Sequence, residues 1–366
     1  MARKLKSDRV LFITTVLLVF LGVVMVYSAS AMLAHTRYND DYLFLRKQVM
    51  WAALGLGSLA LVMRVDYHSY RQPVFIWTAL GLVSLALIAV LFSAPINNAR
   101  RWFSVGGLGI QPSELAKLSA IFFLAWFLER RLSVINDFKQ ALLPIGLVLG
   151  PVIALILLEP DFGTSMAIAL IAAMMIFGAG LNYGYFIGTV VLALPPVIFV
   201  MVSSAYRMRR LLTFLDPWAD PQGDGFQIIQ SLIAVGTGGL TGRGLTHGVQ
   251  KLFYLPEPHT DFIYAVISEE LGLIGALVTL ICFLVIAWRG FRIASNAPDL
   301  FGSLVAVGLT TMVAAQALIN ISVVLSLMPT KGIPLPLVSS GGSSLLINLV
   351  GMGVLLNVSQ HASTEE

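Results

Sequence analysis

The residues in this sequence that could do chemistry are few, and they gather where polar segments meet long apolar runs. An ionisable group at such a boundary is costly to keep, so a functional role is the first hypothesis for it. Asn98-Ala99-Arg100-Arg101-Trp102 sets two arginines beside a tryptophan, which suits an interfacial belt or bidentate capture of phosphate. Glu114 and Lys117 are three residues apart on one expected helix and face each other. They either neutralise one another as a structural pair or leave the lysine to touch a pyrophosphate. Asp161, in Glu159-Pro160-Asp161-Phe162-Gly163-Thr164, suits the N-cap of the helix that follows.

Two further segments carry the densest chemistry. Leu255-Pro256-Glu257-Pro258-His259-Thr260-Asp261-Phe262 precedes a long apolar run that holds Glu269 and Glu270, and its prolines keep the backbone stiff and non-helical. Thr260 or Asp261 would serve as a plain N-cap there. Alternatively, partial burial where a polar loop meets an apolar helix raises the proton affinity of Asp261 and makes it a better base. Pro329-Thr330-Lys331-Gly332-Ile333-Pro334-Leu335-Pro336 runs into Ser339-Ser340-Gly341-Gly342-Ser343-Ser344. This reads either as a rigid re-entrant-like loop ending at an anion-favouring helix N-terminus, or as a well-capped helix after a stiff loop. The glycines of Gly236–Gly244 lack the Gly-Lys-Ser/Thr ending of a phosphate-binding loop. The one cysteine, Cys282, excludes an intramolecular disulfide and a thiolate metal cluster, and reads as a small core hydrophobe.

The elements that must position these groups are membrane helices. Hydrophobic residues make up 57% and charged residues 11% of the 366, far from the balance of a soluble domain. The net charge of +4 forms no block of the kind that binds nucleic acid, so contact with anionic lipid or an anionic substrate explains it better. Spans are expected at Val10–Leu33, Gln48–Met63, Val74–Phe92, Pro112–Phe127, Leu142–Leu158, Phe162–Gly180, Tyr185–Val202, Phe262–Trp288, Leu300–Leu327 and Ser343–Val358. The first of these is long enough to span rather than to act as a cleaved signal peptide. The expected fold is therefore an all-α polytopic membrane protein of about ten transmembrane helices, one domain over residues 1–366, without internal repeats.

An even helix count puts both termini on one side. Arg3, Lys4, Lys6 and Arg9, then Arg64, Arg71, Arg130, Arg131, Lys139, Arg289 and Arg292, mark that side as cytoplasmic. One long extracytoplasmic loop, residues 203–261, then lies on the opposite face. It holds Arg207, Arg209, Arg210 and the apolar patch Phe226–Val235, which favours an ordered loop that lies on the membrane surface or folds back on the bundle.

Taken in order, these segments resemble the SEDS family (FtsW, RodA and SpoVE) nearly from end to end. The matching residues are Met25-Val26-Tyr27-Ser28-Ala29-Ser30, Ala99-Arg100-Arg101-Trp102, Gln111-Pro112-Ser113-Glu114 with Lys117, and Pro160-Asp161-Phe162-Gly163-Thr164. They continue through Gln230-Ser231, Gly238-Gly239-Leu240, Leu255-Pro256-Glu257, His259-Thr260-Asp261-Phe262, Pro334-Leu335-Pro336, Ser339 and Gly341-Gly342-Ser343-Ser344. Thr330-Lys331-Gly332 and Asn320-Ile321-Ser322 are closer to the division branch, FtsW, than to the rod-shape branch, RodA. Ser340, Ser268 and Thr246-His247 depart from the residues usual in the family, and none of these departures removes a charged family residue.

The resemblance implies a peptidoglycan glycosyltransferase of the bacterial inner (cytoplasmic) membrane. Its substrate would be lipid II, a disaccharide-peptide on undecaprenyl pyrophosphate. A class B penicillin-binding transpeptidase and other division proteins would be its partners. Asp261 is the implied catalytic residue. One carboxylate can take the proton of an acceptor hydroxyl, and a pyrophosphate leaves as a stable anion without an acid. Arg101, Lys117, Arg243, Lys251 or Lys331 would supply the positive charge it needs, with Mg²⁺ or Mn²⁺ as a further candidate. Glu114, Glu257, His259, Thr260, Ser339 and Ser343 complete the expected substrate-binding set, and Asp161 is expected to be mainly structural. A lipid flippase and a non-catalytic division scaffold are the alternative functions.

Overall fold

In the computed structural model, residues 7–362 are described except 96–98, 106–107, 204, 224, 253 and 331. The chain runs α1 (Arg9–Tyr38), α2 (Leu43–Val62), α3 (Pro73–Val90), a short hairpin of β1 (Phe103–Val105) and β2 (Leu108–Ile110), α4 (Pro112–Arg131), α5 (Leu143–Leu158), α6 (Phe162–Gly178) and α7 (Tyr183–Val202). It continues through α8 (Ala205–Leu215), α9 (Phe226–Thr237), α10 (Ile263–Ser295), α11 (Leu300–Val324) and α12 (Gly342–Ser359). Each expected span corresponds to one helix. Among the described residues, six helices are both long and apolar enough to cross a membrane by themselves: those at Arg9–Tyr38, Pro73–Val90, Phe138–Leu158, Ile263–Ser295, Leu300–Val324 and Gly342–Ser359. α4 carries Glu114, Lys117, Glu129, Arg130 and Arg131, and such helices depend on neighbours that cover their polar groups.

The packing supplies that cover. α12 lies along α2, α10 along α11, α3 along α4, and α1 along α10. α11 and α12 are central, with most of their surface buried, whereas α3 and α10 turn Leu82, Leu85, Ile274 and Ile281 outward as a lipid-facing surface would. Up-and-down connectivity places the starts of α4, α6, α10 and α12 on one face, together with the 203–261 segment. That segment is not a bare loop. Its apolar patch folds into α9, which packs on α10, with Ile228, Ile229 and Ala234 buried.

The glycines of this segment have a backbone task. α10 is broken at Gly272, whose φ of 67° is left-handed. A break strands carbonyl and amide groups, which inside a membrane need other partners. The Gly-rich stretch supplies them. Arg243 N and Gly244 N donate to the carbonyls of Glu269 and Glu270, at 3.0 Å each. Leu273 N and Ile274 N donate to the carbonyls of Gly239 (2.9 Å) and Leu240 (3.2 Å). So close an approach leaves no room for side chains: a Cβ on Gly242, itself at φ 81°, would overlap the Glu270 carbonyl. Gly242→Ala should therefore lower the thermal unfolding midpoint in detergent, with a cost of about 1–3 kcal/mol from the strained backbone alone. Gly236→Ala is the comparison. Gly236 lies in α9 with open space around it, so alanine there should be neutral or stabilising.

Candidate active site

A cavity of about 450 Å³ opens among the helix starts. Its walls include Gln111 and Glu114 from the start of α4, Asp161 and Thr164 from the start of α6, Asp261 just before α10, and Gly341 and Ser344 from the start of α12. Arg101 and Trp102 from the segment just before β1, Glu257 and Thr260 from the Pro-rich approach, and Gln316 from α11 complete the polar lining. Four helix N-termini thus border one space, and each adds a partial positive charge that favours an anion.

Asp261 is half-buried on the cavity wall. Its backbone carbonyl accepts from Asn320 Nδ2 (2.7 Å), which also donates to the carbonyl of Ile333 (2.8 Å). One amide therefore ties the aspartate to the loop across from it. Gly332 lies so near that a Cβ there would come within 3.2 Å of Asp261 Oδ2. Among the described residues the carboxylate has no hydrogen-bond partner. Burial pushes its pKa up to about 6, Glu257 and Asp161 add to the rise, and Arg101 and Arg210 oppose it. The expectation that Thr260 or Asp261 caps α10 is corrected here. Phe262 occupies the cap position without a side-chain bond, because Asp261 lies one residue too early and Thr260 Oγ1 turns back to Glu257.

Asp161 does cap its helix. Its carboxylate accepts from Thr164 N (3.0 Å) and Oγ1 (2.8 Å) and from Gln111 Nε2 (2.7 Å), which joins the starts of α4 and α6. Two residues earlier, Glu159 is fully buried, and neither carboxylate oxygen has a partner among the described residues. Burial and then Asp161 push its pKa up to about 8, against the pull of Arg101. Arg101 is half-buried at the cavity, with an Nε that also lacks a partner among the described residues. Glu114 and Lys117 are buried 2.8 Å apart, at angles too poor for a good hydrogen bond. Glu114 lines the cavity and the Lys117 ammonium lies just behind it.

Several expected binding residues hold the walls together. Ser339 Oγ donates to the carbonyl of Thr260 (2.6 Å) and accepts from Leu335 N (2.8 Å). Ser343 Oγ accepts from Gln111 N (3.2 Å). His259 is buried with its ring 4.7 Å from that of Phe44, and its carbonyl accepts from Ser340 N. Burial pushes the His259 imidazole below its ordinary pKa. Arg243 and Lys251 are not on the cavity wall. Lys251 Nζ is buried against Glu270 (2.6 Å) and Ser28 (2.9 Å), and Arg243 lies 3.8 Å from Glu269. Their charges answer the two glutamates at the break in α10. Lys331 and Asn98 lie outside the described residues.

Four wall or support residues were not singled out for the site from sequence. Gln316 and Asn320 are carboxamides four apart inside an apolar run, a spacing that could have flagged one polar helix face. Glu159 lies in the segment read from sequence only for the helix cap at Asp161. Arg210 sits on α8, where its guanidinium donates to the carbonyl of Thr330 (3.1 Å); only the folded loop brings it near Asp261. No cluster of three or more His, Cys, Asp or Glu residues is arranged to hold a metal ion among the described residues.

The comparisons with known proteins agree with this architecture. The probable peptidoglycan glycosyltransferase FtsW of Geobacter sp. (strain M18) is 43% identical over 96% of each chain. Stage V sporulation protein E of Bacillus subtilis (strain 168) is 44% identical over 98% of this chain and 99% of that one. Among solved structures, a chain of a peptidoglycan synthase complex that coordinates polymerization and crosslinking matches with a TM-score of 0.79 and 32% identity, covering 96% of this chain and 97% of that one. Thermus thermophilus rod shape determining protein RodA matches with a TM-score of 0.71 and 28% identity over 98% of each chain. The family model for the FtsW/RodA/SpoVE cell cycle proteins covers residues 8–364, and the chain belongs to that family, as a multi-pass membrane protein.

Proposed function

We propose that this protein is a peptidoglycan glycosyltransferase that polymerises lipid II, with the cavity below the 203–261 segment as its active site. The observation that carries the reading is the meeting of a carboxylate of raised pKa, Asp261, with Arg101 and four helix N-termini around one space. In the reaction, Asp261 accepts the proton of the acceptor sugar's 4-hydroxyl as the oxygen attacks the anomeric carbon of the donor. The bond to the pyrophosphate breaks, and its electrons leave with the prenyl pyrophosphate. Positive charge stabilises that leaving group, supplied by Arg101, the helix N-termini and Lys117 behind Glu114. Attack opposite an α-linked leaving group gives a β-linked product in one inverting step. The prenyl chain stays in lipid throughout, which suits a catalyst made of membrane helices. Mg²⁺ or Mn²⁺ would have to be held mainly by phosphate oxygens of the substrate.

The membrane is the bacterial inner membrane, with both termini cytoplasmic and residues 203–261 outside. A class B penicillin-binding transpeptidase is the partner that crosslinks the strands made here, alongside other division proteins. The orientation has a direct check. With Cys282 replaced by serine, a cysteine at the exposed Gln222 should react with an impermeant maleimide in intact cells, and one at the exposed Asp137 should not. The reverse pattern would put the cavity on the wrong side of the membrane for polymerisation.

Polymerisation is separated from transport in proteoliposomes loaded with labelled lipid II. Glycan chains resolved on a gel are expected. Movement of lipid II between leaflets without chains would favour the flippase, and neither chains nor movement would favour the scaffold.

A further inference from the structure

Gln316 is an uncharged polar residue in the middle of a central membrane helix, and it lines the cavity while only 3% exposed. It lies one helical turn deeper than Asn320, the residue that holds the backbone of Asp261. The two amides differ in what they do. Asn320 uses its amino group on two carbonyls of the site. Gln316 has no hydrogen-bond partner among the described residues, and its Oε1 is buried and unsatisfied. An unpaired amide in such a place is costly to the folded protein, and a ligand that pairs with it recovers that cost.

The amide also restricts which ligand group qualifies. It offers donors and an acceptor together. A phosphate oxygen at neutral pH satisfies the donors alone and leaves Oε1 unpaired. A hydroxyl or an N-acetyl amide can satisfy both kinds of atom. The charged parts of the cavity, Arg101 and the helix starts, suit the pyrophosphate, which leaves Gln316 for the uncharged part of the substrate.

We propose that Gln316 is a specificity-determining residue that hydrogen-bonds a hydroxyl or N-acetyl group of a substrate sugar at the deep end of the cavity. The inference rests on the sugar-polymerising reading above and adds the residue that tells a sugar-bearing lipid from a bare prenyl pyrophosphate. A site built to pair with such a group discriminates strongly against ligands that lack it.

The test compares two ligands on one purified, detergent-solubilised sample: fluorescent lipid II and undecaprenyl pyrophosphate. Gln316→Met keeps the shape and removes the polar atoms. It should reduce the preference for lipid II over the bare pyrophosphate at least about 10-fold, the scale of a lost site hydrogen bond to substrate, with binding of the bare pyrophosphate unchanged. Gln316→Leu, which removes both kinds of polar atom with a different side-chain shape, covers the case in which methionine costs the fold, and it should reduce the same ratio. An unchanged ratio in the folded variant, or an equal loss for both ligands, would overturn the proposal. A further arm with lipid II lacking the N-acetyl group separates that group from the hydroxyls. Because the readout is binding, the ratio decides the inference whether or not chains form.

Discussion

Asp261→Asn should lower the rate of lipid II polymerisation by at least about 10²-fold, the usual scale for loss of a general base. Asparagine has nearly the same shape and size, so the cavity should persist. The anchor on this residue is its backbone carbonyl, held by Asn320, and that bond survives the change. Helix content, thermal midpoint and binding of the partner transpeptidase should stay close to the parent. The substitution also removes a carboxylate whose charged form is disfavoured by burial and by Glu257, so no loss of stability is expected from its charge. Asp161→Asn is the comparison of opposite kind. Its carboxylate accepts four hydrogen bonds: two from Thr164 N and Oγ1 cap α6, and two from Gln111 and Ser113 join α4 to α6. The expected phenotype there is a lower thermal midpoint with a smaller loss of activity per folded molecule. Near-normal chains from Asp261→Asn would move attention to Glu257 or Glu114.

The largest stability effect is expected at the break in α10. Lys251 and Glu270 are both buried and 2.6 Å apart, and Glu270 also takes Ser28 Oγ and the Thr246 amide. Lys251→Met leaves a carboxylate buried without its cation, which costs about 3–5 kcal/mol in comparable cases. A lower melting midpoint and a smaller monodisperse fraction on size exclusion should report it. Adding Glu270→Gln to Lys251→Met removes the stranded charge and should recover much of the loss. Activity per folded molecule should remain near the parent value in both variants. A role for Lys251 in holding pyrophosphate predicts the opposite pattern: intact stability, weaker substrate use and no rescue.

Most of the fold was legible because lipid imposes a strong and simple pattern. Every apolar run of sufficient length became a helix, and the charges on α4 did not prevent it, because Glu114 and Lys117 are buried beside one another and Arg130 and Arg131 lie exposed at the end of the helix. The break in α10 was not legible. Its glutamates and the Gly-rich stretch are far apart in sequence position terms, and their backbone pairing follows only from the folded segment. In the candidate site, motifs at polar–apolar boundaries brought Arg101, Glu114, Asp161, Glu257, Thr260 and Asp261 to one cavity. Arg243 and Lys251 looked equivalent to these as cations on the same face. Sequence gives no way to see that a glutamate inside the next helix claims each of them. The place of Gln316 and Asn320 in the site was hidden for the converse reason: both are neutral residues inside an apolar run, and Asn320 stood out in sequence only as part of a family motif.

The central claim is that Asp261 takes a proton during sugar transfer, and the pH dependence of polymerisation addresses it most directly. A base must be deprotonated to act, so kcat/KM from purified protein and labelled lipid II should rise about tenfold per pH unit at low pH. The rise should level off above about pH 6, the value to which burial and Glu257 lift this carboxylate. In Asp261→Asn the residual rate should lack that limb. A wild-type profile that is flat or falling between pH 5 and 7, or the same rising limb retained in Asp261→Asn, would contradict the account.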